Sequence, residues 1–337
     1  MNRLLHTLFL FCSLLLLLIP AAAQQKNADS LRRIKDNMII QAAMRYPLLC
    51  RASIQYGTVS NTHYTATLHG KAYLEGDLKI QNAVKGFLTL PVYAFGKQEV
   101  SATIGYIRQE MVLQNTVDKI PESPVDNGST TLQTMALSLG YKRKDSLFGK
   151  PFVSGGSLIV NSSLQSSIDK TSAVLYGIWS IKTTRTTYIG AGLVVLIDRN
   201  STFPALPTLI YWHRFTASPW ELSIDIPTHA FIRHPIFSKG LLSLGTELSD
   251  NTLFKEVDQP LLPVKAEFKM LDLKTGFTID YPICKKLLIG CNGGMMNKVM
   301  DRMLQRNNSV NDYAVTARRD PCVYFNIHLS LLPNLLK

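Results

Sequence analysis

The stretch Thr134-Met135-Ala136-Leu137-Ser138-Leu139-Gly140-Tyr141 decides the fold. Bulky apolar residues at 135, 137, 139 and 141 alternate with small ones. A period of two places successive side chains on opposite faces of an extended strand, so this segment has one apolar face and one small-residue face. The pattern recurs on either side. Val100, Ala102, Ile104 and Tyr106 alternate with Ser101, Thr103 and Gly105. Val323, Phe325, Ile327, Leu329 and Leu331 alternate with Tyr324, Asn326, His328 and Ser330. From Cys50 onward no helical period separates such segments.

Many amphipathic strands in a row must close on themselves. A soluble sandwich or barrel turns the apolar faces inward; a membrane barrel turns them outward against lipid. The small polar set opposite bulky aliphatics fits the second arrangement. Residues 71–93 and 265–281 are long for soluble strands of about 5–6 residues but suit tilted spanning strands of ~9–11 with extensions. The expectation is an all-β, antiparallel transmembrane β-barrel of 12 strands, or else 14, preceded by a short helix. Long loops are expected at 115–130, 161–171, 198–205, 249–263 and 297–312, with short turns near 182–185 and around Pro91, Pro227 and Pro282. Tyr106, Tyr141, Tyr188, Trp212 and Trp220 are the candidates for interfacial aromatic girdles.

The chain has 337 residues, 46% hydrophobic and only 18% charged, with mean hydropathy +0.07. This excludes a disordered chain, and past the first two dozen residues no apolar run reaches the ~20 residues of a spanning helix. Arg3, the apolar run from Leu8 to Ile19, Pro20 and Ala21-Ala22-Ala23 read as an export signal cleaved before Gln24. Residues 24–48 then form a leader with Leu31, Ile34, Met38 and Ala42 at helical spacing and Asp29 or Ser30 as cap. Such a helix could brace a pore from the periplasmic side or act as a mobile leader. The barrel follows from 49 to 337.

The formal charge is +12, and removing Arg3 with the signal leaves +11. No basic block or zinc spacing supports nucleic acid. Anionic lipid headgroups are the better match, so outer-membrane lipids and lipopolysaccharide are the expected partners. Cys50, Cys284, Cys291 and Cys322 remain after cleavage. Either buried thiols or disulfides are compatible with export, the 284–291 spacing fitting the two arms of a hairpin.

Arg45-Tyr46-Pro47-Leu48-Leu49 leads into Ala52-Ser53-Ile54-Gln55-Tyr56. Leu88-Thr89-Leu90-Pro91-Val92-Tyr93 and Trp220-Glu221-Leu222-Ser223-Ile224-Asp225-Ile226-Pro227 follow. With the Ala23-Gln24 junction, these resemble uncharacterised outer-membrane β-barrel families of Bacteroidetes-type bacteria. The resemblance implies fold and location, the outer membrane of a Gram-negative bacterium reached through the periplasm, and no chemistry. It also implies handling by the outer-membrane insertion machinery. That machinery reads a terminal aromatic residue in many such barrels, whereas this chain ends Leu335-Leu336-Lys337.

An outer-membrane enzyme would most plausibly hydrolyse lipid acyl chains with a serine activated by histidine. His213, Asp225, His229 and His234, with a serine such as Ser223, are the candidates for that chemistry. No GxSxG elbow accompanies them. Asn292-Gly293-Gly294 is a turn pattern without a phosphate-loop lysine. Asp118, Glu122 and Asp126 lack EF-hand spacing, as do Asp250, Glu256 and Asp258. No cofactor or metal is expected. The leading expectation is a non-enzymatic barrel: a narrow channel for small solutes or lipids, selective for anions where lumenal Lys and Arg line it, or a structural element. A lipid acyl hydrolase on the same barrel and a secreted soluble β-protein binding a hydrophobic ligand are the alternatives.

Overall fold

The computed structural model describes residues 28–120, 127–164 and 168–333. The expected signal (1–23) and the terminal Leu335-Leu336-Lys337 lie outside the described residues. A helix, α1 (Ala28–Arg45), precedes sixteen antiparallel segments. The first eight are β1 (Ala52–Val59), β2 (Thr62–Leu68), β3 (Lys71–Phe95), β4 (Gln98–Asp118), β5 (Gly128–Leu147), β6 (Lys150–Ser162), β7 (Lys170–Thr183) and β8 (Thr187–Ile197). The others are β9 (Ala205–Arg214), β10 (Glu221–Ile226), β11 (His229–Ile236), β12 (Gly240–Glu256), β13 (Lys265–Cys284), β14 (Leu287–Gln305), β15 (Tyr313–Arg319) and β16 (Cys322–Leu331).

β1 and β2 hold one register against β3 (Val59 opposite Gln81, Thr62 opposite Leu78), so they are a single stave broken at Ser60-Asn61. β15 and β16 are likewise one stave, broken at Asp320-Pro321 and continuous in register along β14. The two breaks face and stitch each other: Ser60 N–H donates to Val323 O (2.8 Å) and Asp320 N–H to His63 O (3.1 Å). The β1–β3 pairing closes the ring. The barrel therefore has fourteen staves, the larger of the two expected counts.

All five expected loop regions reach one end, the loop end, although 249–256 and 297–305 are strand; the tight turns at 69–70 and 227–228 share that end, and the other six connections lie at the turn end. The apolar alternations face outward: Leu137, Leu139, Val323, Phe325 and Ile327 are all exposed. Polar Asn326, His328 and Ser330 face the lumen, where Asn326 bonds Asn292 and Ser330 bonds Ser53. Outward apolar faces are the membrane arrangement.

Several local expectations are corrected. Pro91 and Pro282 do not end strands. They sit inside β3 and β13 at register shifts, where the missing N–H is absorbed by a bulge. Pro227 alone makes a turn, at the opposite end from the other two. Trp212 and Tyr188 face inward; Trp212 donates to Glu221 Oε2 at 3.2 Å and Tyr188 bonds Ser180. Tyr141 is outward and exposed as expected, and the most exposed aromatics, Tyr93, Phe95, Phe148 and Phe237, stand at the turn end. Of the expected helix stripe, the side chains of Leu31 and Ile34 lie outside the described residues and Met38 is 68% exposed; among the described side chains of α1 the buried ones are Ile40, Ala43, Met44 and Arg45. The four cysteines are free thiols; Cys284 and Cys291 do sit on two arms of one hairpin without bonding.

Two features position the site. First, the wall is uneven: β3–β5 and β12–β14 run 17–25 residues, while β10 and β11 have 6 and 8. Beyond the short strands, β5 meets β12 directly. Gln133 pairs with Phe254, and Thr134 Oγ1 donates to Thr252 O (3.1 Å). The long strands, with β2 and β15, thus close a second, eight-stave ring at the loop end. Second, facing inverts at bulges. On β3 the lumenal set is Gln81, Ala83, Lys85 and Phe87, but past the register shift between Leu78 and Ile80 it becomes Leu78 and Leu74. On β14 a shift at Val299 moves the inward set from even residues to Asp301 and Met303. A one-residue slip flips every side chain beyond it. The outer ring is apolar inside, packed by Tyr64 and Leu78 past the inversions and by Met111, Leu132, Leu253 and Met270, whose strands keep one facing.

Candidate functional site

The outer ring holds a cavity of about 330 Å³ lined mainly by Tyr64, Ala66, Leu74, Met111, Phe268 and Met270. Charged groups edge it: Lys255, which donates to Thr130 Oγ1 at 2.8 Å, and the Arg319–Asp301 ion pair. Beneath the apolar packing the lumen turns polar. Lys298 pairs with Asp272 (2.6 Å) and touches Met270 Sδ (3.7 Å). Lys85 donates to Asn251 Oδ1 (2.6 Å), and Lys274 lies 5.4 Å from the Tyr324 ring centre.

Deeper, His328 Nε2 and Asp280 Oδ1 meet at 2.8 Å across the intervening strand. Gly290 stands in register between them, and any Cβ there would overlap the imidazole and the carboxylate. Gly290→Val is expected to break this pair and cost about 1–3 kcal/mol, read from urea unfolding of the detergent-solubilised barrel.

At the turn end, the last residues of α1 enter the lumen. Ile40, Ala43 and Met44 pack with Leu241, Leu288 and Leu332. Arg45 grips buried Glu221 through Nε (2.7 Å) and Nη2 (2.6 Å), while Arg214 holds the same carboxylate at 2.7 Å. Arg233 donates to Arg45 O (3.1 Å). Apolar side chains therefore pack inside the barrel near both ends. Among the lumenal cations, Arg45, Arg214 and Lys298 are paired with carboxylates, whereas Lys85 bonds Asn251 and Lys274 faces Tyr324. One wall differs: registers place Val174, Tyr176, Ile178, Val194 and Ile210 of β7–β9 inward, opposite the charged β12–β14.

Outside the outer ring, the loops after β6 and β8 pack against β13. Lys170 Nζ donates to Glu267 Oε1 and to Asp198 Oδ1, each at 2.8 Å, and Asn200 Nδ2 donates to Glu267 Oε2 (2.5 Å). Burial alone would raise the Asp198 pKa, but Lys170, the Asn200 backbone N–H and Lys269 hold it below its ordinary value. A carboxyl with a lowered folded pKa stabilises above its unfolded value near 4, and the contribution is lost as pH falls through the folded value. Asp198→Asn is expected to cost about 1–2 kcal/mol at pH 7. The difference should shrink as pH falls below the ordinary carboxylate range and the Asp198 carboxyl takes up its proton, which urea unfolding at neutral and acid pH checks.

The four residues read as catalytic candidates divide between two faces of the wall. His213 and His234 face outward: His213 packs between Tyr211 and Phe215 and bonds Thr187, and His234 lies 4.6 Å from the Trp220 ring centre. Asp225 and His229 face the lumen in register with each other, with Ser223 on the same face and Thr228 bonding His229 Nδ1 (3.2 Å). No group of three or more metal-ligating side chains gathers among the described residues. The residues that build the cavity carry no motif. Their only trace in the sequence is the broken alternation around Leu78-Lys79-Ile80 and Lys298-Val299-Met300.

No protein-family model matches the sequence, and no curated protein does. Among solved structures, the chain is similar to a Pseudomonas aeruginosa FadL homologue at 8% identity and TM-score 0.41, over 83% of this chain and 89% of that one. The Pseudomonas putida toluene transporter TodX matches at 10% and 0.31, over 83% and 89%. The Escherichia coli outer membrane protease OmpT matches at 9% and 0.27, over 83% and 96%. At such identity and overlap the likeness says nothing about cargo.

Proposed function

We propose that this chain is an outer-membrane β-barrel of a Gram-negative bacterium that captures a small hydrophobic molecule at its loop end for passage inward. The observation that carries this reading is the apolar cavity inside the outer ring. A ring of strands closed at the loop end has no reason to be apolar inside unless that interior is packed or receives an apolar guest. This one is packed at Leu132 and Leu253, which are fully buried, and open beside them. Its volume sits at the small end of ligand pockets, about 300–1,000 Å³. The inward Val174, Tyr176, Ile178 and Val194 continue apolar surface down one side of the lumen.

Ala66→Phe adds a ring where the cavity lies and leaves the outer belt untouched. Detergent-solubilised or vesicle-borne protein is expected to bind N-phenyl-1-naphthylamine, and Ala66→Phe to weaken that binding about tenfold, the scale of a lost buried ring contact. Equal binding by both folded proteins, or none by either, would remove the cavity as the site.

A further inference from the structure

The net charge of the chain is concentrated at one rim. The six turn-end connections with their flanks (95–99, 142–150, 182–187, 214–221, 237–240 and 284–287) hold eleven Lys or Arg against three carboxylates. The seven loop-end connections (69–71, 118–128, 163–170, 198–205, 227–228, 256–265 and 305–313) hold, by sequence, six against eight. Every turn-end connection carries at least one cation, but Arg214 is held by Glu221, and Lys97, Lys142 and Arg143 stand against Asp145 or Glu99. Lys144, Lys182, Arg185 and Lys239 are exposed and have no carboxylate within ion-pair distance among the described residues. Lys150 extends over the Trp179 ring at 5.5 Å. At the same level stand the exposed Phe95, Phe148 and Phe237. Aromatic rings settle at the headgroup layer of a bilayer, and cations there meet lipid phosphates.

We infer that the turn-end rim is a binding surface for anionic phospholipid headgroups of the leaflet it faces. In the 95–99, 142–150 and 237–240 connections an exposed ring stands beside cations, offering a lipid both an apolar and a phosphate contact. This inference rests on the membrane-barrel part of the proposed function and not on the cavity.

The test uses the full chain in phosphatidylcholine vesicles carrying spin-labelled phosphatidylglycerol or phosphatidylcholine. The native lipid shell should favour phosphatidylglycerol about threefold or more. That preference should vanish near 1 M salt, where screening acts within about 3 Å. A variant with Lys97, Lys150, Lys182, Arg185 and Lys239 all changed to Gln should lose the preference while binding the apolar probe normally. Changing Lys71 and Lys265 at the loop end to Gln should leave it intact. Heat-modifiable gel migration establishes that each variant is folded. Should the five-site variant fail to fold, Lys182→Gln with Lys239→Gln must reduce the preference measurably. No preference in the native protein would overturn the inference. So would equal loss in the loop-end variant, or selectivity for lipopolysaccharide with none for phosphatidylglycerol.

Discussion

Replacing Glu267 by alanine is expected to lower the unfolding free energy of the barrel by about 3 kcal/mol, the low end of the range for breaking a buried ion pair. Glu267 is fully buried, and its two oxygens accept from Lys170 and Asn200. Without it, the Lys170 ammonium, itself almost wholly buried, keeps only Asp198 as counter-charge. That surviving contact is why the effect falls short of a stranded cation. The loops after β6 and β8 lose their anchor on β13, so proteolysis should cut there first. Urea unfolding and limited proteolysis of the native and variant proteins measure both effects. Glu267→Leu with Lys170→Met should recover most of the stability, since an apolar pair of similar size avoids leaving a charge buried.

Glu221→Ala is expected to act at the other end of the barrel with comparable or larger size, about 3–5 kcal/mol. Here one carboxylate satisfies two guanidinium groups and the Trp212 indole N–H. Arg45 is buried, and Gln41 is its other recorded acceptor. Removing the carboxylate leaves two like charges facing each other in the lumen beside Arg233. The last turn of α1 should then leave the lumen. Planar-bilayer recordings are the decisive readout: frequent open-channel steps in the variant, rare ones in the native protein. Unchanged conductance would mean that the packing of Ile40, Ala43 and Met44 holds that segment without Arg45.

The outward faces were legible in the sequence because Met135 to Tyr141 and Val323 to Leu331 keep strict alternation through the lipid-facing band, where water and lipid impose opposite chemistry on adjacent residues. The long loops were legible in part, as places where alternation stops, but 249–256 and 297–305 read as loop and are strand. The cavity was hidden. Tyr64 and Leu74 lie past points where facing inverts, and an inverted strand reads as a weak one; Met111 and Met270 keep the parity of lumenal Gln109 and Asp272, so nothing in the alternation separates them from the rest of the lumen. Glu221 and Glu267 were equally silent, since a buried carboxylate differs from a solvated one only in what folds over it. The histidines drew attention as reactive side chains, but which wall face each occupies depends on register, and register is set by turns that carry little signature.

The low wall at β10 and β11 has a consequence for the surrounding bilayer. Six residues of extended chain reach about 20 Å, and a tilt near 40° reduces the height to roughly 15 Å, against an apolar band of about 25 Å in outer-membrane barrels. The staves opposite are more than twice as long. Lipid therefore meets a deficit of hydrophobic height along one flank only. The membrane must thin beside that flank, or the whole barrel must lean to submerge it.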